Sequence, residues 1–349
     1  MKFVHAADLH IGASPEAGRP WGRERAGAVS LALPRIIELC NETDADLLLI
    51  PGDLFDRQPL KKDLREAAYN FSRLKKAQVV ITAGNHDFLS SDTPYSTFDL
   101  GHHVHLITSA ALSSIFFPEL NTEVHGLSYY GRVIKQPLFD TAAAPHDGRL
   151  HILLAHGGDA DHIPINYTAL SSSGFDYIAL GHIHRPKVFG GVHMAYSGSP
   201  EPLDHTDTGA RGCLSGEVTE STFSLHWHPI ASSQYRDEEI KVLPDSTWSE
   251  IRETAAEALA RHPLDLFNIT LSGRRDPSVT IDRGQLISLG RISSVSDRTI
   301  ADYDLDALER DHRDDIIGKF ITAMKNRGGE LSEKALYYGL AELVKEDRT

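Results

Sequence analysis

Five short polar clusters carry the side chains best able to do chemistry. They are Asp8-Leu9-His10, Gly52-Asp53-Leu54-Phe55-Asp56, Gly84-Asn85-His86-Asp87, His156-Gly157-Gly158 and Gly181-His182-Ile183-His184. Between them they offer Asp8, His10, Asp53, Asn85, His156, His182 and His184 as candidate metal ligands. Two carboxylates, one amide oxygen and four imidazoles, with no thiolate, suit manganese, iron or zinc better than calcium or magnesium alone. Two divalent cations would outweigh the two carboxylates, leaving residual positive charge for an anionic phosphate. Asp8 and His10, two apart on what reads as extended chain, are expected to face one ion, and His182 with His184 repeats the device. Gly52, Gly84, Gly157 and Gly181 would let the backbone turn sharply beside them.

Each cluster is ambiguous by itself. A Gly-Asp pair before a helix is usually a turn with an N-cap, and a lone His after a strand usually lies at the surface. All five occur in series, each directly behind an apolar run, and that recurrence points to a shared site. His102, His103, His105, His226 and His228 lack that placement and read as loop or strand-surface residues.

The positioning elements follow from periodicity. Residues 3–7, 47–50, 79–82, 152–155 and 177–180 are continuous apolar runs that predict buried strands. Residues 29–40 and 63–75 show apolar positions at helical spacing between the first three. Strand–helix alternation predicts an α/β (α+β) layered domain with ligands at the carboxyl ends of the strands. Residues 192–197, 213–218 and 222–228 read as a run of antiparallel strands. From about residue 235 a second pattern begins: strand 239–243, helix 248–261, strand 266–271, a helix near 281–289 and strand 291–295. Beyond residue 305 two helical stripes follow, Ile316, Ile317, Phe320, Ile321 and Met324, then Leu336, Leu340, Leu343 and Val344, separated by Gly328-Gly329. The expected domains are 1–230, 231–299 and 300–349.

Bulk properties limit the function classes. The chain has 349 residues, 41% hydrophobic and 24% charged, a balance that excludes disorder. No apolar run is long enough for a membrane span, and an acid at residue 8 predicts no signal peptide. Cys40 and Cys213 alone exclude a disulfide framework and point to a cytoplasmic setting. The net charge is −14; residues 1–230 hold 18 Lys+Arg against 26 Asp+Glu and the remainder 17 against 23, so no basic arm exists. DNA binding would therefore need local patches, metal cations or a partner. Arg57 and Arg185, next to the second and fifth clusters, are the candidate substrate contacts, together with the group Lys61, Lys62, Arg65 and Lys187.

In the order and spacing of these motifs, residues 1–200 resemble the calcineurin-like metallophosphoesterase superfamily. The segments Asp8-Leu9-His10-Ile11-Gly12, Gly52-Asp53-Leu54-Phe55-Asp56-Arg57, Leu180-Gly181-His182-Ile183-His184 and Ser197-Gly198-Ser199-Pro200 are similar to the SbcD-like (YhaO-like) DNA-repair nuclease branch. The resemblance implies a four-layer β-sandwich flanked by helices, a small α+β capping domain over 231–299 and a helical C-terminal segment. It implies one metal held by Asp8, His10, Asp53 and His184, and a second by Asp53, Asn85, His156 and His182. It further implies His86 and Asp87 as catalytic residues, with His86 meeting the scissile phosphate or the leaving oxygen and Asp87 orienting it. The implied cofactors are two divalent ions, foremost Mn2+, with Fe, Zn or Mg as substitutes. The implied partners are DNA, an SbcC-like coiled-coil ATPase and a second copy of the chain. Some nucleases of this type carry His three residues after the bridging Asp, where this chain has Asp56, which leaves the mode of cleavage open. Hydrolysis of small nucleotides or phosphoproteins remains the alternative, favoured by the acidic surface; the C-terminal extension favours DNA.

Overall fold

The computed structural model describes residues 1–219 and 221–346 and divides into two compact units, 1–234 and from Tyr235 onward. The first holds strands β1 (Lys2–His5), β2 (Leu47–Pro51), β3 (Gln78–Thr82), β4 (Val104–Ile107), β5 (Ser113–Phe117) and β6 (Thr122–Gly126). It continues with β7 (Leu150–His156), β8 (Tyr177–Gly181), β9 (Lys187–Val188), β10 (Met194–Tyr196), β11 (Gly212–Val218) and β12 (Phe223–Pro229). Its helices are α1 (Gly22–Ser30), α2 (Ala32–Glu42), α3 (Lys61–Phe71) and α4 (Tyr167–Ser171).

Two six-stranded sheets stack, ordered β12-β11-β1-β2-β3-β4 and β5-β6-β7-β8-β10-β9. The period-2 alternation of side chains fills three layers at once. Leu47, Leu49, Val80, Ile152, Leu154 and Ala179 meet between the sheets. Their neighbours Leu48, Ile50, Val79 and Ile81 face outward onto Leu33, Ile37, Leu64 and Phe71 of α2 and α3. Leu153, Ala155 and Leu180 face the other way, onto Phe139, Ile163 and Leu170. Strands buried on both faces explain why these segments are apolar without interruption. The expected run of antiparallel strands is half right. β11 and β12 pair antiparallel at the edge of the first sheet, but β10 lies parallel to β8 in the second. The short β9 pairs antiparallel with β10 and reverses the chain, which gives β10 the direction of β8.

Two buried polar features tie this unit together. His5 lies between the sheets: Nε2–H donates to the Leu180 carbonyl at 3.1 Å, and Nδ1 then accepts from the Tyr177 hydroxyl at 2.8 Å. Burial pulls its pKa from 6.5 down to about 3. Across that window the unfolded chain holds a proton that folded His5 refuses, so stability falls as pH drops below 6.5. At about pH 5.5 the loss through His5 is about 1.3 kcal/mol relative to neutral pH. Chemical denaturation at both pH values should show a smaller pH effect in His5→Gln; an unchanged effect would contradict this.

The second feature is Glu201, whose carboxylate accepts from Arg25 (3.0 Å), Arg35 (2.8 Å) and the Ser232 amide (2.7 Å). Arg25 also donates to Ser233 and to the Pro202 carbonyl, closing the end of the unit onto α1. Both Arg25 and Glu201 are 1% exposed, so Glu201→Ala leaves an unpaired buried cation. The expected loss is about 3–5 kcal/mol of unfolding free energy, read by urea denaturation.

In the second unit β13 (Tyr235–Val242), β14 (Leu266–Arg275) and β15 (Ile292–Asp297) form a parallel sheet, with β16 (Ile300–Ala301) beside β14. Helix α5 (Trp248–Arg261) starts in a Thr247/Glu250 capping box and packs Ile251, Ala255 and Ala258 on Ile240, Phe267 and Leu271. The short α6 is Arg283–Ile287. Helices α7 (Leu305–Asp311), α8 (Ile316–Arg327) and α9 (Glu330–Glu346) follow. The two apolar stripes face each other, with Ile317 and Ile321 against Leu336 and Leu340, while Ile316, Leu331 and Tyr338 stay exposed.

Candidate metal centre

All five polar clusters meet at the carboxyl ends of β1, β2, β3, β7 and β8. The chain after β1 runs beside the chain after β2: the Asp8 amide donates to the Gly52 carbonyl, His10 to Asp53 and Ile11 to Leu54. This brings the first two motifs side by side. Asp8, His10 and His182 do not sit on extended chain, as their spacing had suggested, and Asp53 shares their unusual backbone. Their φ angles are, in that order, 54°, 46°, 96° and 50°, in the left-handed region that non-glycine residues rarely enter. Such strain persists where the surroundings dictate it, and it collects at functional sites. Gly84 has no substitute here, since a Cβ would strike the Asp53 carboxylate.

The side chains form two donor groups. Asp8, His10 and His184 each bring a ligand atom within 4.8 Å of the others, and so do Asp53, His156 and His182. Asp53 lies between the groups, its Oδ2 3.4 Å from His156 Nε2 and 3.7 Å from His10 Nε2. Asn85 Oδ1 joins the second group, 2.9 Å from His156 Nε2 and 3.1 Å from His182 Nδ1. Asp8, His10, Asp53 and His156 are at most 1% exposed. Both Asp8 oxygens accept from the His182 amide, at 2.9 and 3.0 Å.

Three of the four imidazoles have the far nitrogen hydrogen-bonded, and the fourth, that of His10, has it beside a carboxylate without a hydrogen bond. Asp159 meets His182 Nε2 at 2.7 Å, and Asp207 meets His184 Nδ1 at 3.2 Å. The Pro51 carbonyl meets His156 Nδ1 at 2.9 Å, and Asp56 lies 3.3 Å from His10 Nδ1. Each ring thus turns its other nitrogen inward, the arrangement of metal-binding histidines with oriented tautomers. The electrostatics agree. Burial opposes ionisation of Asp53, but the His156 and His10 charges outweigh it and hold the carboxyl well below the usual range. Burial likewise lowers His156, and Asp53 outweighs it, lifting the imidazole to about 9. A divalent cation would answer the same buried carboxylate charge and release that proton. The donor set therefore fits two divalent ions.

His86 stands apart from the buried ligands, its side chain 43% exposed, with Nδ1 donating to the Asp56 carbonyl at 2.9 Å. Asp87 makes no hydrogen bond to the His86 ring. Its two oxygens accept from the Gly84 amide (2.7 Å) and the Phe55 amide (3.1 Å), fastening the second and third motifs together. Burial, then the Asp53 charge, pushes its carboxyl up to about 7. Arg57 and Arg185 are exposed, and Arg57 lies 3.5 Å from Asp63. Lys61, Lys62, Arg65 and Lys187 are exposed as well.

Asp159 and Asp207 escaped the sequence reading. An aspartate three residues past His156 was the only signal for the first, and an acidic stretch after Pro200 the only one for the second. Replacing either by Asn should weaken divalent-ion binding about 10–100-fold in a direct titration, because the ring behind it loses its orientation. Unaltered affinity in both variants would remove them from the centre.

The profile of the calcineurin-like phosphoesterase family matches residues 1–186. This chain belongs to that family. The family is one of metal-dependent phosphoesterases, and the donor groups around Asp53 could hold metal ions. It is 28% identical over 248 residues to an uncharacterized metallophosphoesterase, YhaO, of Bacillus subtilis, covering 65% of this chain and 60% of that protein. It is 28% identical over 226 residues to the DNA double-strand break repair protein Mre11 of Methanopyrus kandleri, 58% of this chain and 49% of the relative. With Mre11 of Archaeoglobus fulgidus the identity is 27% over 237 residues, 58% and 51% of the two chains. The chain thus spans about half to three-fifths of the length of the relatives it matches. Among the described residues, no helix is long and apolar enough to cross a membrane.

Proposed function

We propose that this phosphoesterase is a manganese-dependent DNA exo/endonuclease of the double-strand-break repair type, working in the cytoplasm with an SbcC-like ATPase. The observation that carries the reading is the pair of donor groups sharing Asp53, with an exposed His86 beside them. Asp8, His10, Asp53 and His184 would hold one cation, and Asp53, Asn85, His156 and His182 the other. Bound there, two divalent ions supply Lewis-acid charge to the phosphate and lower the pKa of a water molecule.

The remaining work falls to the chain's own residues. His86 Nδ1–H is engaged by the Asp56 carbonyl, so Nε2 is the atom that serves the departing sugar oxygen, and it donates a proton there from the doubly protonated ring, leaving neutral His86 behind. Asp87 holds the two loops that fix His86 relative to Asp53. Arg57 and Arg185 take flanking phosphates, which position a polymer without reading its sequence. Relatives named for DNA double-strand break repair support the choice of substrate. The exposed Ile316, Leu331 and Tyr338 on α8 and α9 support a partner surface there. A homodimer fits the same reading.

The net charge of −14 favours a second reading, hydrolysis of small nucleotides or phosphoproteins. Labelled single- and double-stranded DNA, a cyclic nucleotide and a simple phosphodiester, incubated side by side with manganese, separate the two. Cleaved DNA supports the nuclease. Turnover of small esters with intact DNA, with or without an added ATPase, supports the second reading.

A further inference from the structure

A second cluster of imidazoles lies away from the phosphoesterase centre. His151 is the second residue of β7 whereas His156 closes it, five residues on and about 16 Å away along the strand. Glu123 and His125 are two apart on β6, and Glu123 is paired directly with His151 in the parallel register of β6 and β7. Val124 and Ile152 between them point into the core shared by the sheets, so Glu123, His125 and His151 share the opposite face.

Their ligand atoms lie within 4.8 Å of one another. His125 Nε2 is 2.9 Å from His151 Nδ1, and Glu123 Oε2 is 4.0 Å from the same nitrogen. Donor atoms about 2.0–2.1 Å from a tetrahedral zinc stand roughly 3.3 Å apart, between those two separations. Asp147 accepts from His151 Nε2 at 2.9 Å, which fixes the tautomer and leaves the Nδ1 lone pair turned towards His125. The His125 edge packs on Phe175, and both rings are nearly buried, at 8% and 2% exposure.

We propose that Glu123, His125 and His151 form a third metal site, of zinc type, clamping β6 to β7 independently of the phosphoesterase centre. Zinc takes His125 Nε2, His151 Nδ1 and one Glu123 oxygen, with water in the fourth position. The proton of neutral His125 moves to Nδ1, so binding needs no proton release there. Burial lowers the His125 pKa, and the Ser114 hydroxyl leads the groups that keep Glu123 ionised, so both ligands are in their binding forms at neutral pH. Arg149, 3.1 Å from Glu123 Oε2, is the competitor that zinc must displace. Zinc is favoured over manganese because imidazole sites follow the Irving–Williams order.

The test is metal content after chelator stripping of the full chain and equilibrium dialysis against micromolar zinc. The native protein should hold one equivalent more than His125→Gln or His151→Gln, and Arg149→Gln should keep that equivalent. Manganese-dependent hydrolysis should be unchanged in all three variants. Equal zinc content in native and His125→Gln protein would overturn the site, leaving only a hydrogen-bonded imidazole pair. Should the variants misfold, zinc-edge anomalous scattering from native crystals decides. A peak between the three side chains supports the site, and peaks at the phosphoesterase centre alone overturn it.

Discussion

Asp53→Ala should strip the protein of divalent metal and of hydrolytic activity together. Asp53 is the side chain that reaches both donor groups, 3.4 Å from His156 and 3.7 Å from His10. Its Oδ1 also accepts from the His86 amide at 2.9 Å, so His86, the proposed general acid, loses its anchor as well. Loss of a residue that merely orients a ligand weakens metal binding about 10–100-fold, and loss of a shared ligand should exceed that. Metal content by mass spectrometry and turnover on the same samples check this. Asp53→Asn, which retains an oxygen for the His86 amide, separates the two roles. Retention of two full manganese equivalents by Asp53→Ala would contradict the shared-ligand assignment.

His86→Ala should leave both metals bound and lower kcat by about 10²–10⁴, the usual span of a lost general acid or base. The exposed ring packs edge-on against His10, with centroids 4.6 Å apart, and its Nδ1 is held by Asp56. Because the proposed duty is to serve the leaving oxygen, the defect should depend on the leaving group. DNA, whose sugar alkoxide leaves poorly, should suffer most; a nitrophenyl diester, whose phenolate needs no proton, should suffer least. An equal loss on both substrates would point to phosphate binding rather than proton transfer. Unchanged turnover would remove His86 from the mechanism.

Much of this centre was legible in the sequence because its chemistry follows buried strands. The runs at β1, β2, β3, β7 and β8 are apolar on both faces, and such strands announce themselves without alternation. The polar residues behind them then stand out. β4, β5 and β6 were not legible. They lie at or near sheet edges, where Val104, His105, Ser113 and Glu123 are only partly buried and Ser114 is exposed, so neither a continuous nor an alternating apolar pattern emerges. The left-handed backbone at Asp8, His10 and Asp53 was hidden as well, since no glycine marks it and tertiary contacts impose it. Asp159 and Asp207 look like ordinary surface carboxylates until their imidazole partners are seen beside them. The C-terminal stripes were read as apolar faces, and all but the exposed Ile316 pack together, yet sequence could not show that Ile317 and Ile321 cover Leu336 and Leu340.

Hydrolysis of DNA by chelator-stripped protein, followed as manganese is titrated in, tests the central claim most directly. Activity should be absent without the ion, rise to a plateau as two equivalents bind, and vanish again on chelation. Cleavage that persists in excess chelator, or two bound equivalents without hydrolysis of any phosphodiester, would contradict a two-metal centre at Asp53.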